Sequence, residues 1–232
     1  MPRIEQKLIE PGSDMERALA ELRGRFVAKL GQPLQCEFEK FKEWLQAYVG
    51  AGGDLLGGCN IRAEALAPVL SKAGEKSGLL ASMMRAPGKT IEQKWTAVEE
   101  ALNKGRALVI EGRGTEISGD KSKFATFTSF HAFVLLQVIE DGEKKKWFIG
   151  FDPDVSATTE TRDLWNSLIR AAFNTQDVEL GKWNAQVKDL DRNALHGILT
   201  TMILGATASG FGPLVRRYAI DRTKGLEPPH RG

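Results

Sequence analysis

Apolar residues recur at intervals of three and four through the first hundred positions, the period of a helix with one buried face. Met15, Leu19, Leu22, Phe26 and Leu30 trace such a face over 14–30, with Ser13 and Asp14 as caps and Gly31 as a stop. Phe38, Phe41, Leu45 and Val49 repeat it over 37–49. Gly50-Ala51-Gly52-Gly53-Asp54 reads as a flexible loop, and Gly57-Gly58 is a second loop signal immediately before Cys59. Behind the cysteine, Ile61, Ala65, Leu66, Val69 and Leu70 outline a helix despite Pro68. A proline is tolerated near the first turns or at a kink, so the helix is expected to start near Cys59. Over 90–104, Ile91, Trp95, Val98 and Leu102 form a regular face between a Thr90 cap and a Gly105 stop.

The period then changes. Ala107-Leu108-Val109-Ile110 suits a buried strand, and 112–123 is polar and glycine-bearing, hence a loop. Residues 131–139 predict a strong strand, 140–143 a turn with an Asp-Gly signal, and 146–151 the returning strand. Pro153 ends it, because proline cannot continue a central ladder. Thr159 caps a helix over about 160–173, with Leu164, Trp165, Leu168, Ile169 and Phe173 on its face. Residues 178–190 carry no decisive period, 192–206 reads as helix, and 214–221 as a final strand or helix. The tail from Glu227 is expected to be disordered. Helices first and strands later is an α+β arrangement.

Composition narrows the chemistry. The 232 residues carry 32 Lys and Arg against 30 Asp and Glu, a formal charge of +2. That balance argues against a nucleic-acid binder held by phosphate neutralisation. Two cysteines and three histidines exclude a disulfide scaffold and a four-thiolate zinc site. The first seven residues are charged and lack an apolar run, so no secretory signal peptide is expected. The cytoplasm of the producing cell is the expected location, with export by a signal-independent route as the alternative. From Gly197 to Val215 no side chain is charged, about the length of a membrane span. Its glycines, Pro213 and threonines predict instead a buried helix over about 198–206 followed by a glycine-rich turn.

Three residues stand where chemistry can use them. Cys59 opens a helix, where unpaired N–H groups favour a thiolate and can hold an oxyanion. His131 opens a strand and can serve as base and then acid. Asp152 ends the partner strand, near His131 at the open end of the hairpin, and could orient the imidazole if the two share a face. Asp154 is two residues on; Asp152 is preferred because Pro153 disturbs the ladder after it. A zinc site from the same three residues is chemically conceivable, but the helix-start cysteine suits catalysis better. No metal or cofactor is therefore expected. Cys36, flanked by Glu37 and Glu39, reads as structural, and His196 as a core or partly buried residue. Arg216-Arg217 is too short for a nucleic-acid patch.

Gly57-Gly58-Cys59-Asn60 with Ala63, Ala65 and Leu66, then His131-Ala132-Phe133-Val134-Leu135-Leu136, then Trp147-Phe148-Ile149-Gly150-Phe151-Asp152-Pro153 resemble the cysteine helix and the histidine and aspartate strands of papain-superfold cysteine hydrolases. The nearest versions are bacteriocin-processing peptidases of the double-glycine type, followed by transglutaminase-like proteins. The resemblance covers about residues 55–155. It implies a papain-like α+β fold: an N-terminal helical region over 1–50, a catalytic domain over 51–222 and a tail over 223–232. It also implies a Cys59 nucleophile, a His131 base and an orienting Asp152. These families place an oxyanion-hole glutamine a few residues before the cysteine, and Gly52–Leu56 holds none. Gln46 on the preceding helix, Asn60 or the Cys59 N–H would have to serve.

The activity implied is a cysteine peptidase or amidase acting on an amide, isopeptide or thioester carbonyl, with acyl transfer to an amine as the variant. The partners implied are a peptide or amide-containing substrate and, if the chain is an exported effector or toxin, an inhibitory or immunity protein. Nucleic acid and membrane are not expected partners. The missing glutamine motivates a competing class, a non-catalytic interaction module on the same superfold.

Overall fold

The computed structural model describes residues 4–8, 14–30, 32–53, 58–113, 116–117, 130–153, 159–174, 184–209 and 214–223. Their elements, in chain order, are β1 (Ile4–Leu8), α1 (Asp14–Val27), α2 (Phe38–Gly50), α3 (Cys59–Leu70), β2 (Gly78–Leu79), α4 (Leu80–Met84), α5 (Ile91–Asn103), β3 (Leu108–Arg113), β4 (Glu116–Ile117), β5 (Phe130–Glu140), β6 (Lys146–Phe151), α6 (Thr159–Ala172), α7 (Asn184–Lys188), α8 (Arg192–Ala208) and β7 (Val215–Ile220). The class is α+β. The described strands form one sheet in the order β2-β3-β5-β6-β7-β1-β4. The β1–β4 and β2–β3 pairs are parallel, and the four other pairs are antiparallel.

Side chains alternate across a strand, so each face of the sheet collects its own core. Ala132, Val134 and Leu136 of β5, Trp147, Ile149 and Phe151 of β6 and Val215 of β7 pack with the buried faces of α2, α3, α6 and α8. Phe133, Leu135, Phe148, Tyr218 and Ile220 pack on the opposite face with α4 and α5. The sheet is thus the middle of three layers.

The first 50 residues share this sheet and core. β1 pairs with β7, α1 supplies Leu22 and Phe26, and α2 buries Phe41, Trp44, Leu45, Tyr48 and Val49 in the common cluster. Described residues on both sides of residue 50 contribute to this one cluster. α3 does begin at Cys59, after Gly58 in the left-handed region (φ 69°). Pro68 lies in its last turn rather than its first. α8 extends from 192 to 208 and buries one face, Leu195, Ile198, Leu199, Met202, Ile203 and Ala206, while Leu204 is exposed. The hydroxyls of Thr200, Thr201 and Thr207 donate to carbonyls four residues back, which accommodates them on a helix. Among the described residues no helix is long and apolar enough to cross a membrane. Asp154, most of the 112–123 loop and the tail from 224 lie outside the described residues.

Candidate functional site

The β5–β6 hairpin is set by Asp141. Its Oδ1 accepts from the N–H groups of Glu143 and Lys145, and its Oδ2 from the Trp147 indole. Lys144, not Gly142, takes the left-handed conformation (φ 60°), so the glycine of the Asp-Gly signal does not supply the turn's left-handed residue. Glu140 pairs with Lys146, and the ladder continues to Gln137–Ile149. There the register shifts: the next pairs are Leu135–Gly150 and Val134–Phe151, leaving Leu136 as the extra residue of a β-bulge.

Beyond the bulge, His131 faces the α4–α5 side. Its ring stacks on Phe133 with centroids 5.9 Å apart, and Phe133 stacks on Tyr218 at 4.1 Å. The His131 Nε2–H donates to Asp152 Oδ2 at 3.0 Å. Arg216 Nη1 donates to the same oxygen at 2.7 Å. The Asp152 N–H is held by Leu214 O at 2.7 Å, which fixes the end of β6 against β7. The relative exposures of His131, Asp152 and Arg216 are 4%, 0% and 1%, so this polar group is enclosed. Burial, and next the charge of Asp152, hold the Tyr218 phenol well above its ordinary range, so it stays neutral. The contact fixes which imidazole nitrogen faces the carboxylate, and with it the orientation of the ring.

Cys59 lies elsewhere. It belongs to the cluster under α2, α3 and α8, together with Ala132 and Val134, on the opposite face of the sheet from His131. The two do share an end of the sheet. The Ala107 N–H donates to Ser71 Oγ and the Lys72 N–H to Gly105 O, so α3 ends where β3 begins. β3 runs antiparallel to β5, with Leu108 opposite Leu135 and Gly112 opposite His131. α3 packs along both strands and rises about 18 Å over its 12 residues, which brings Cys59 to the His131 end. The structure therefore joins His131 to Asp152 and separates Cys59 from them by the sheet itself.

Of the remaining candidates, Asn60 is exposed and Gln46 is partly buried on α2. The Cys36 thiol donates to Ala65 O, and burial pushes it up to about 12, with the Glu37 charge adding and Arg192 opposing. His196 Nε2 accepts from the Leu34 N–H at 3.2 Å. Both are tied into the fold. Arg216 is the member of the site that the sequence reading missed. It sits in Val215-Arg216-Arg217-Tyr218, where strand alternation puts Arg216 and Tyr218 on one face and Arg217 on the other, over the Trp147 ring at 4.7 Å. Comparison with protein-family models, with curated proteins and with solved structures finds no match for this chain.

Proposed function

We propose that this chain is a hydrolase-class enzyme in which His131 is the general base and acid, with Asp152 orienting its ring. The observation that carries the reading is the 3.0 Å contact from His131 Nε2 to Asp152 Oδ2 between the buried ends of β5 and β6. A carboxylate on one imidazole nitrogen selects the tautomer whose other nitrogen can take a proton. In the proposed step the imidazole takes the proton of an attacking nucleophile as that nucleophile bonds to a carbonyl carbon. The proton then passes to the leaving group as its bond breaks. Arg216 shares Asp152 Oδ2 and limits the carboxylate's freedom to turn away.

A second reading makes Cys59 the nucleophile. It is favoured by the position of Cys59 at a helix start, at the same end of the sheet as His131, and by the order cysteine helix, histidine strand, aspartate strand. That order is what carries the likeness to papain-like thiol hydrolases. It requires a rearrangement that brings the thiol round the end of the sheet.

Hydrolysis of p-nitrophenyl acetate by wild type, His131→Ala, Asp152→Asn and Cys59→Ala separates the readings. The base reading expects His131→Ala to lower the rate by about 10²–10⁴-fold, with Cys59→Ala unchanged. Loss of activity in Cys59→Ala with intact far-UV circular dichroism selects the thiol reading. Full activity in His131→Ala removes both and leaves the pair as a structural tie.

A further inference from the structure

A second polar site lies at the other end of β5. α1, the ends of α3 and α5, and Gln137 of β5 enclose a cavity of about 210 Å³ lined by Glu21, Arg25, Lys72, Asn103 and Gly105 among others. That is below the roughly 300 Å³ at which drug-sized ligand pockets begin, so it suits a small group. Two cations, Arg25 and Lys72, line it, and the charge of Arg25 reaches a third, Lys29. Lys29 Nζ donates to Val69 O at 2.7 Å and to Ser71 O, which satisfies the last carbonyls of α3 and accounts for this lysine. Arg25 feels the Glu21 charge and lies over the Phe26 ring at 5.8 Å, but part of its guanidinium is unanswered. Its Nε and Nη2 are buried and have no acceptor among the described residues. These two N–H groups lie on one edge of the guanidinium, the edge that grips a carboxylate or phosphate with two parallel hydrogen bonds. The floor of the cavity is built to stay open. Gly105 has φ +89°, and a Cβ there would stand 2.6 Å from Lys72 Cβ and 3.1 Å from Arg25 Nη1.

We propose that this cavity is an oxyanion site, in which a carboxylate or phosphate group accepts from the Nε/Nη2 edge of Arg25 with Lys72 as the second cation. The electrostatics agree. Desolvation lowers Arg25, with the Glu21 charge opposing, and burial followed by the Arg25 charge brings Lys29 down to about 8, so an added negative charge here would be favourable to both. Among the described residues Glu21 is the one carboxylate lining the cavity, and it would oppose an anion.

The test is titration of the full chain with inorganic phosphate and, separately, sodium acetate, at ionic strength held constant with sodium chloride. The readouts are the Arg25 Nε–H resonance and the melting temperature. The site predicts a saturable shift of that resonance and a rise in Tm beyond the chloride control. Arg25→Lys, which keeps the charge and loses the two-pronged edge, should weaken binding at least tenfold, and Glu21→Gln should tighten it. A response to phosphate alone assigns a phosphate group; a response to both assigns a carboxylate-sized oxyanion generally. An unmoved Arg25 resonance, or equal Tm shifts in wild type and Arg25→Lys, would overturn the proposal.

Discussion

Gly150 offers a sharp test of how the histidine site is supported. It occupies β6 between Leu135 of β5 and Arg216 of β7. Lacking a side chain, it lets the Phe133 and Tyr218 rings of the two flanking strands meet above it, 4.1 Å apart and inclined by 15°. A methyl group at Gly150 would lie 2.5 Å from Tyr218 Cε2, 3.0 Å from Cδ2 and 3.2 Å from Val134 O, whereas ordinary contact begins at 3.4 Å. The tyrosine ring would have to lift by about 1 Å, the scale of misfit that overpacked cores resist. Tyr218 is fully buried and Phe133 nearly so, which leaves little slack. Overpacking of this kind costs about 1–3 kcal/mol. Replacing a strand glycine returns about 0.5–1 kcal/mol of backbone entropy. The net expectation for Gly150→Ala is a loss of about 0–2.5 kcal/mol, centred near 1.

Urea denaturation of Gly150→Ala, Tyr218→Leu, Tyr218→Phe and the corresponding double variants isolates the clash. In the Tyr218→Leu background the ring is gone, and the alanine should be neutral or stabilising. In the Tyr218→Phe background the ring remains, and the full penalty should persist. A coupling energy of about 1 kcal/mol or more between Gly150→Ala and Tyr218→Leu is expected. Additivity within about 0.5 kcal/mol would refute the reasoning, because it would mean the glycine is not there for the ring.

Arg216→Met removes the guanidinium from a fully buried carboxylate. Breaking such a pair from one side costs about 3–5 kcal/mol, so urea unfolding should show a loss on that scale, and a change under 1 kcal/mol would count against the enclosed His131–Asp152–Arg216 arrangement. Cys36, pushed up to about 12, stays protonated in the folded chain while the thiol of the unfolded chain ionises near its ordinary value of about 8.5. Its contribution is complete below that value and is lost as pH rises toward 12, so stability should fall more steeply between pH 8 and 10 in wild type than in Cys36→Ala. Equal slopes would contradict it.

The elements that local chemistry specifies were legible in the sequence. α5 has its 3.6-residue face and a capping box in which Thr90 Oγ1 accepts from the Gln93 N–H and Gln93 Oε1 from the Thr90 N–H. The hairpin strands β5 and β6 announce themselves by long apolar runs. What escaped is held by distant partners. β1, Ile-Glu-Gln-Lys-Leu, is mostly polar and becomes a strand by pairing with β7 some 200 residues away. β2 and β4 are two residues each, and α4 has five, too short for any period to register. At the site, the residue types Cys, His and Asp could be picked out by position. Arg216 could not, because a charged pair in sequence carries no mark of which member the strand turns inward.

The decisive feature of the site is a single unpaired residue. Carried on without a break, the register Glu140–Lys146 would set Asp152 opposite Val134, and side-chain alternation would then put His131 on the other face from Asp152. Inserting Leu136 changes the parity of everything before it in β5. Val138 packs with the α4–α5 core and Ile139 with the other; on the near side of the bulge, Phe133 and Leu135 take the α4–α5 side and Val134 and Leu136 the other. The same insertion therefore aligns His131 with Asp152 and turns it away from Cys59. Cys59 packs in the cluster on the other face, so the thiol would have to come round the end of the sheet to meet this pair. Bulges concentrate beside active sites because they re-aim a side chain at little cost to the rest of the ladder. Here the re-aimed side chain is the one histidine in contact with a buried carboxylate among the described residues.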